Sequence, residues 1–291
     1  MPEGQIVRAV GGFYYVRTPD GDVQCRARGI FKKRKFSPLV GDRVTFEWTA
    51  NGEGVVTQVE PRKTELVRPP IANVEQAVVV CSLNEPRFQP ELLDRFLVHC
   101  EHEGLEILIV LTKLDLLEDP NGLRQIRAMY DPAGYRIVAT SIKTGEGIEV
   151  VREELTGRLS VFAGQSGVGK SSLLNRLYPD LELQTGAISR KLGRGRHTTR
   201  HVELLDLPEG GQVADTPGFS QLAFQHMEPV DLSDCFPEMR LRAPDCRFRG
   251  CLHKNEPDCR VREAAENGEI APSRHRHYLQ FLEEISEQRR Y

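Results

Sequence analysis

Gly164-Gln165-Ser166-Gly167-Val168-Gly169-Lys170-Ser171-Ser172 has the G-x-x-x-x-G-K-S spacing of a phosphate-binding loop. Its glycines, Gly164, Gly167 and Gly169, let the backbone turn so that successive N–H groups face a β-phosphate. Lys170 would reach the β- and γ-phosphates, and the Ser171 hydroxyl would bind Mg²⁺. The apolar run LSVF before the loop and SSLLNRL after it supply the strand and the helix N-terminus that such a site needs.

Three further stretches fit the same chemistry. In VADTPG, Asp215 ends an apolar run where a carboxylate can hold Mg²⁺ through water, and the N–H of Gly218 can sense a γ-phosphate. In Thr112-Lys113-Leu114-Asp115, the Asp115 carboxylate can accept from N1–H and N2–H₂ of guanine, a donor pair that adenine lacks. Lys113 would lie along the base or brace the phosphate loop. Asparagine is usual at the first position, and Thr112 lacks its amide, so one base contact is weakened or rerouted. In Thr140-Ser141-Ile142-Lys143, the turn around Ser141 would meet the guanine O6, with Lys143 flanking the ring. Each of these is weak alone. Together the four select GTP over ATP.

Their order is unusual, because the base-reading stretches precede the phosphate loop. A nucleotide-binding sheet needs each motif at the carboxyl end of its own strand, not in one order along the chain. Joining IEVVREEL to LSVFAG and opening the chain after DTPGFS keeps every strand in place, as circular permutation does. The segment after Gly218 then runs directly into the C-terminal region, so movement on phosphate loss would pull on that region.

Hydrolysis needs a group to orient water. Phe219 follows D-x-x-G and can do no acid–base work, which leaves it a packing role. His197 in GRGRHTTR is the candidate catalytic residue, beside Thr198 and Thr199, of which Thr199 is assigned to Mg²⁺. A surface histidine without a role is the competing reading. Cys246, Cys251, His253 and Cys259 form C-x₄-C-x-H-x₅-C, a closed set of three thiolates and one imidazole suited to structural Zn²⁺. Cys25, Cys81, Cys100 and Cys235 read as ordinary thiols.

These groups are positioned by three segments. Residues 1–67 alternate apolar and polar positions between turn signals, which predicts a small closed barrel: an OB-fold first, with an SH3-like barrel giving a similar pattern. Residues 68–223 alternate apolar strands with amphipathic helices, a doubly wound α/β nucleotide-binding domain. Residues 224–291 hold the Cys/His cluster and a final helix with Ser273 as N-cap and Tyr278, Leu279, Leu282 and Ile285 on one face. The 291 residues are 39% hydrophobic and 28% charged, with net charge −3, so the chain is not a globally basic nucleic-acid binder. No secretory or membrane-spanning segment is evident, and seven cysteines without a signal favour metal binding in a reducing cytoplasm over a disulfide framework.

Two local basic stretches could meet RNA. RARGIFKKRKFSP sets Arg26, Arg28, Lys32, Lys33, Arg34 and Lys35 around two phenylalanines, the alternative being a solvated loop with core phenylalanines. Arg247, Arg249 and Lys254, with Arg274, His275, Arg276 and His277, give the second.

With its permuted order, TKLD, GQSGVGKSS, GRGRHTTR, DTPGF, small barrel and Cys/His cluster, the chain resembles the RsgA/YjeQ family over essentially its whole length. That resemblance implies an OB-fold, a circularly permuted GTPase domain and a zinc domain. It implies hydrolysis of GTP to GDP with Mg²⁺, a catalytic histidine in the His197 segment and one structural Zn²⁺. It also implies stimulation by the 30S ribosomal subunit during late maturation, contact with 16S rRNA and a monomeric protein. Two other classes stand beside it: a non-enzymatic RNA-binding module using guanine nucleotide as a conformational ligand, for which Phe219 argues, and a P-loop ATPase or small-molecule kinase.

Overall fold

The computed structural model describes residues 1–67, 69–117, 119–179, 202–215, 223–224 and 227–288. They form two compact units: Met1–Gln76 with Leu155–Phe162 and Tyr178–Ser220, and Ala77–Glu154 with Ala163–Leu177 and Gln221–Tyr291.

In the first unit, period-two alternation produces β1 (Glu3–Val10), β2 (Phe13–Thr18), β3 (Gly21–Ala27), β4 (Arg43–Trp48) and β5 (Gly54–Val59). Their order is β1-β2-β3-β5-β4, and β4 pairs back with β1 to close the barrel. Only β3–β5 is parallel within it. This is the OB-fold rather than the SH3-like alternative. Alternate positions Ile6, Val16, Cys25, Val44, Phe46 and Val56 fill the interior and are fully buried. The helix α1 (Gly29–Lys33) lies between β3 and β4 in the chain.

In the basic stretch around α1 the phenylalanines follow the core alternative in part. Phe31 is buried, Phe36 packs against it at 5.9 Å between centroids, and the Arg62 guanidinium covers Phe36 at 4.5 Å. Arg62 also donates to both oxygens of the fully buried Asp42, at 2.8 Å each. Phe31 therefore serves the core, while Phe36 is half-buried with one face under Arg62.

The same unit carries β11 (Leu159–Ala163), β12 (Glu203–Asp206) and β13 (Gln212–Asp215). β13 runs parallel to β11 and antiparallel to β12, and β12 pairs with β1 at Arg8↔Glu203. A short hairpin of β6 (Glu65–Val67) and β7 (Pro70–Ala72) falls where the composition of the chain changes.

In the second unit β8 (Gln76–Ser82), β9 (Glu106–Thr112) and β10 (Arg136–Ala139) lie in the order β10-β9-β8. They alternate with α2 (Pro90–His102), α3 (Pro120–Tyr130) and α4 (Ile148–Leu155), and α5 (Lys170–Leu177) follows the phosphate loop. The proline at the start of α2 and of α3 costs no hydrogen bond there, and Asp119 caps α3 by accepting from Asn121 N–H at 2.9 Å.

The C-terminal segment shares one core with α2. Phe224, Met227, Phe236, Tyr278, Phe281 and Ile285 cluster with Val98. The last helix spans Pro272–Gln288, so Ser273 sits inside its first turn and is not the cap. Arg274 is not part of an exposed basic surface either. It is 1% exposed, donates to Asp94 at 2.6 Å and forks onto both oxygens of Glu238. His277 donates to the other Asp94 oxygen. The segment is less basic than its sequence suggests, because Arg274 and His277 meet carboxylates far away in sequence, while Arg276 stays exposed. Among the described residues no helix is long and apolar enough to cross a membrane.

Candidate nucleotide site and Cys/His cluster

The phosphate loop follows β11 directly, and its shape is fixed from below. At Gly164, φ is +136°, and an added Cβ would lie 2.2 Å from the Val80 carbonyl oxygen, so no other residue fits without displacing β8. Lys170 opens α5 and folds back over the loop, its Nζ donating to the carbonyls of Gly164 at 2.7 Å and Gln165 at 2.9 Å. Burial lowers its pKa from the ordinary lysine value. Gln165, Ser166, Ser171 and Ser172 are exposed, whereas Val168 is buried. The loop thus offers an ammonium and two hydroxyls at one helix start, the chemistry of a polyphosphate site.

TKLD packs against this loop. The Thr112 hydroxyl, in a residue 4% exposed, donates to the Val168 carbonyl at 2.6 Å. Lys113 adopts the left-handed conformation and donates to the carbonyls of Gly167, at 3.2 Å, and Glu85. Leu114 N–H donates to the Thr140 carbonyl at 3.0 Å, which pins the turn to the end of β10. Asp115 accepts from Ser141 Oγ at 2.6 Å, with Lys143 Nζ 4.0 Å from its other oxygen. The Ser141 bond, reinforced by Lys143 and Lys113, holds the Asp115 carboxyl below its usual pKa. Ser141 Oγ in turn accepts from the N–H groups of Lys143 and Thr144, both at 3.2 Å.

The phosphate loop, TKLD and TSIK therefore form one hydrogen-bonded group. Thr112 is turned towards the loop, so the missing asparagine amide is replaced by a tether. Neither the Glu85 carbonyl nor the Val168 carbonyl could be found from the sequence, because a backbone acceptor leaves no trace in residue type. Asp215 ends β13 as expected. His197, Thr198, Thr199 and Gly218 lie outside the described residues.

Cys246, Cys251, His253 and Cys259 converge, their ligand atoms all within 4.8 Å of one another. His253 Nδ1 lies 3.3 Å from Cys259 Sγ and 3.7 Å from Cys246 Sγ, and those two sulfurs are 3.9 Å apart. A tetrahedron of Zn–S bonds has an edge of about 3.8 Å, so the donor set and spacing fit zinc. Burial pushes the Cys251 thiol up to about 12. The Glu256 carboxylate accepts from the N–H groups of Leu252, Lys254 and Asn255 at 2.8–3.0 Å and shapes the ligand loop.

A phosphate loop bonded to TKLD and TSIK and a permuted strand order, joined to an OB barrel, define a circularly permuted P-loop GTPase. The RsgA GTPase family model matches residues 59–225, and the RsgA N-terminal domain model matches residues 3–56. The chain belongs to the RsgA GTPase family and is an enzyme that hydrolyses GTP. It is 53% identical to the small ribosomal subunit biogenesis GTPase RsgA of Halalkalibacterium halodurans, with 99% of this chain and 98% of that one covered. The protein of the same name from Geobacillus thermodenitrificans is 54% identical, with 99% of each covered. Among solved structures, YloQ, a circularly permuted GTPase, superposes with TM-score 0.82 at 42% identity over 99% of this chain and 96% of that one. YjeQ from Thermotoga maritima gives 0.85 at 39% identity over 98% of each.

Proposed function

We propose that this GTPase binds the small (30S) ribosomal subunit, contacts its 16S rRNA and assists its late maturation, turning over GTP faster when bound. The observation that carries this reading is full-length similarity to relatives named for small-subunit biogenesis, combined with the intact phosphate-loop–TKLD–TSIK group. In this reading residues 164–172 wrap the phosphates, Asp115 and the Ser141 turn read guanine, and Lys113 and Lys143 flank it. Ser171, Thr199 and, through water, Asp215 hold Mg²⁺, which neutralises charge developing on the phosphates. Gly218 senses the γ-phosphate, and His197 orients water. The organisation into 1–67, 68–223 and 224–291, a monomeric state and a cytoplasmic location belong to the same proposal. The test is the GTPase rate of the pure chain with and without purified 30S subunits. A strong rise supports the reading; an unchanged rate defeats it. Thr112→Val, which removes the tether to Val168, lowers GTP affinity by roughly tenfold, the scale of one buried hydrogen bond, as read by titration calorimetry.

Zn²⁺ is assigned to Cys246, Cys251, His253 and Cys259 as a structural ion that holds the ligand loop against the last helix, where Tyr278 OH donates to the Leu252 carbonyl at 2.8 Å. Prolonged chelation, or Cys251→Ser, lowers the thermal midpoint by several degrees and releases one equivalent of zinc. A metal-free chain with an unchanged midpoint would remove the structural role.

A further inference from the structure

TKLD leaves the end of β9, which lies between β10 and β8 in the sheet. On the β10 side the turn is pinned by Leu114 N–H on the Thr140 carbonyl. The β8 side is held by the loop of residues 83–89 that leads into α2, a stretch with no nucleotide motif. Leu83 N–H donates to the Thr112 carbonyl at 3.2 Å, and Asn84 Nδ2 donates to the Leu116 carbonyl at 3.0 Å. Lys113 Nζ donates to the Glu85 carbonyl. Asp115 thus sits between two residues, Lys113 and Leu116, that the same loop grips.

Glu85 is exposed and belongs to neither helix nor strand, so no regular element aims its carbonyl. Ser82 does. It is the last residue of β8 and is 2% exposed; its Oγ donates to the Glu85 carbonyl at 2.8 Å and accepts from the Glu85 N–H at 3.0 Å. A buried hydroxyl left without partners is costly, so these two bonds fix the turn. Lys113 needs that fixed carbonyl. Its φ of +59° is one that residues other than glycine rarely adopt, and its ammonium is anchored on both sides, to Gly167 at 3.2 Å and to Glu85. Ser141 Oγ holds one Asp115 oxygen at 2.6 Å, whereas the other has Lys143 Nζ at 4.0 Å. The direction of that second oxygen therefore depends on the backbone beneath it.

We infer that Ser82 and Asn84 are positioning residues for guanine recognition, acting through Lys113 and Leu116 to set the angle at which Asp115 presents both its oxygens. The inference rests on Asp115 reading guanine. Hydrogen bonds weaken steeply as they lose alignment. Two parallel bonds need both oxygens in place, whereas a single bond can follow the carboxylate as it turns. Hypoxanthine separates the two cases, because it keeps the O6 and N1–H of guanine and lacks the 2-amino group. The ratio of ITP to GTP dissociation constants, measured on the full chain with Mg²⁺, therefore reads the paired geometry. In the parent chain ITP binds about tenfold or more weakly than GTP, the scale of one charge-assisted bond. Asn84→Ala and Ser82→Ala each lower that ratio on the order of threefold, by weakening GTP more than ITP. Ser82→Thr, which returns the hydroxyl, returns the ratio. Asn84 is exposed, so Asn84→Ala keeps the parent's thermal midpoint. A loop that served only the fold would weaken both nucleotides alike. That outcome, or unchanged GTP affinity in both alanine variants, overturns the inference. A parent chain that binds ITP as tightly as GTP defeats the guanine reading and this inference with it. A normal parent ratio that survives both substitutions defeats this inference alone.

Discussion

Asp115→Asn lowers GTP affinity by about a hundredfold or more and raises affinity for xanthosine triphosphate. Two charge-assisted hydrogen bonds, each about 1.5–3 kcal/mol, are exchanged for one amide that matches guanine poorly and xanthine well. The aspartate is already organised: Ser141 Oγ holds one oxygen at 2.6 Å, and TKLD is tethered to the phosphate loop through Thr112 and Lys113. The substitution thus changes recognition with little change of shape. Equilibrium titration with GTP, XTP and ATP reads the switch. The depressed pKa of Asp115 sets the pH dependence expected on the proposed reading: the carboxylate form holds throughout the neutral range and is lost only as pH falls below the ordinary carboxylate value. GTP affinity is therefore flat near neutrality and declines only in acid.

The second large effect is on stability. Arg274→Ala leaves Asp94 and Glu238 buried without their cation and destabilises the chain by about 3–5 kcal/mol. Denaturant titration followed by far-UV circular dichroism reads the loss. Replacing the group together, as Arg274→Met with Asp94→Asn and Glu238→Gln, recovers much of it, because no unpaired charge then remains. If Arg274→Ala were as stable as the parent chain, the buried cluster would not hold the last helix to α2.

The candidate nucleotide site was legible in the sequence because the chemistry proposed for it forces side-chain types into short spacings: glycines where the loop turns, lysine at the helix start, aspartate after a strand. The permuted order was legible for the same reason, since each motif carries its own strand. The Cys/His cluster was equally local. What the sequence could not show were contacts made across long separations. Arg274 finds Asp94 at a separation of 180 residues, and without that partner RHRH reads as a basic surface. Thr112 looked like a deficient base reader because its partner is a backbone carbonyl 56 residues away. Phe31 and Phe36 sit among cations, and only barrel closure and the Arg62 cover reveal the first as core and the second as half-buried.

The most direct measurement is a crystal structure of the chain with a non-hydrolysable GTP analogue and Mg²⁺. The account places both Asp115 oxygens within hydrogen-bond reach of guanine N1 and N2, about 2.7–3.2 Å, and Lys170 against the β- and γ-phosphates. An analogue bound with its base away from Asp115, or with its phosphates outside the loop of residues 164–172, would contradict it.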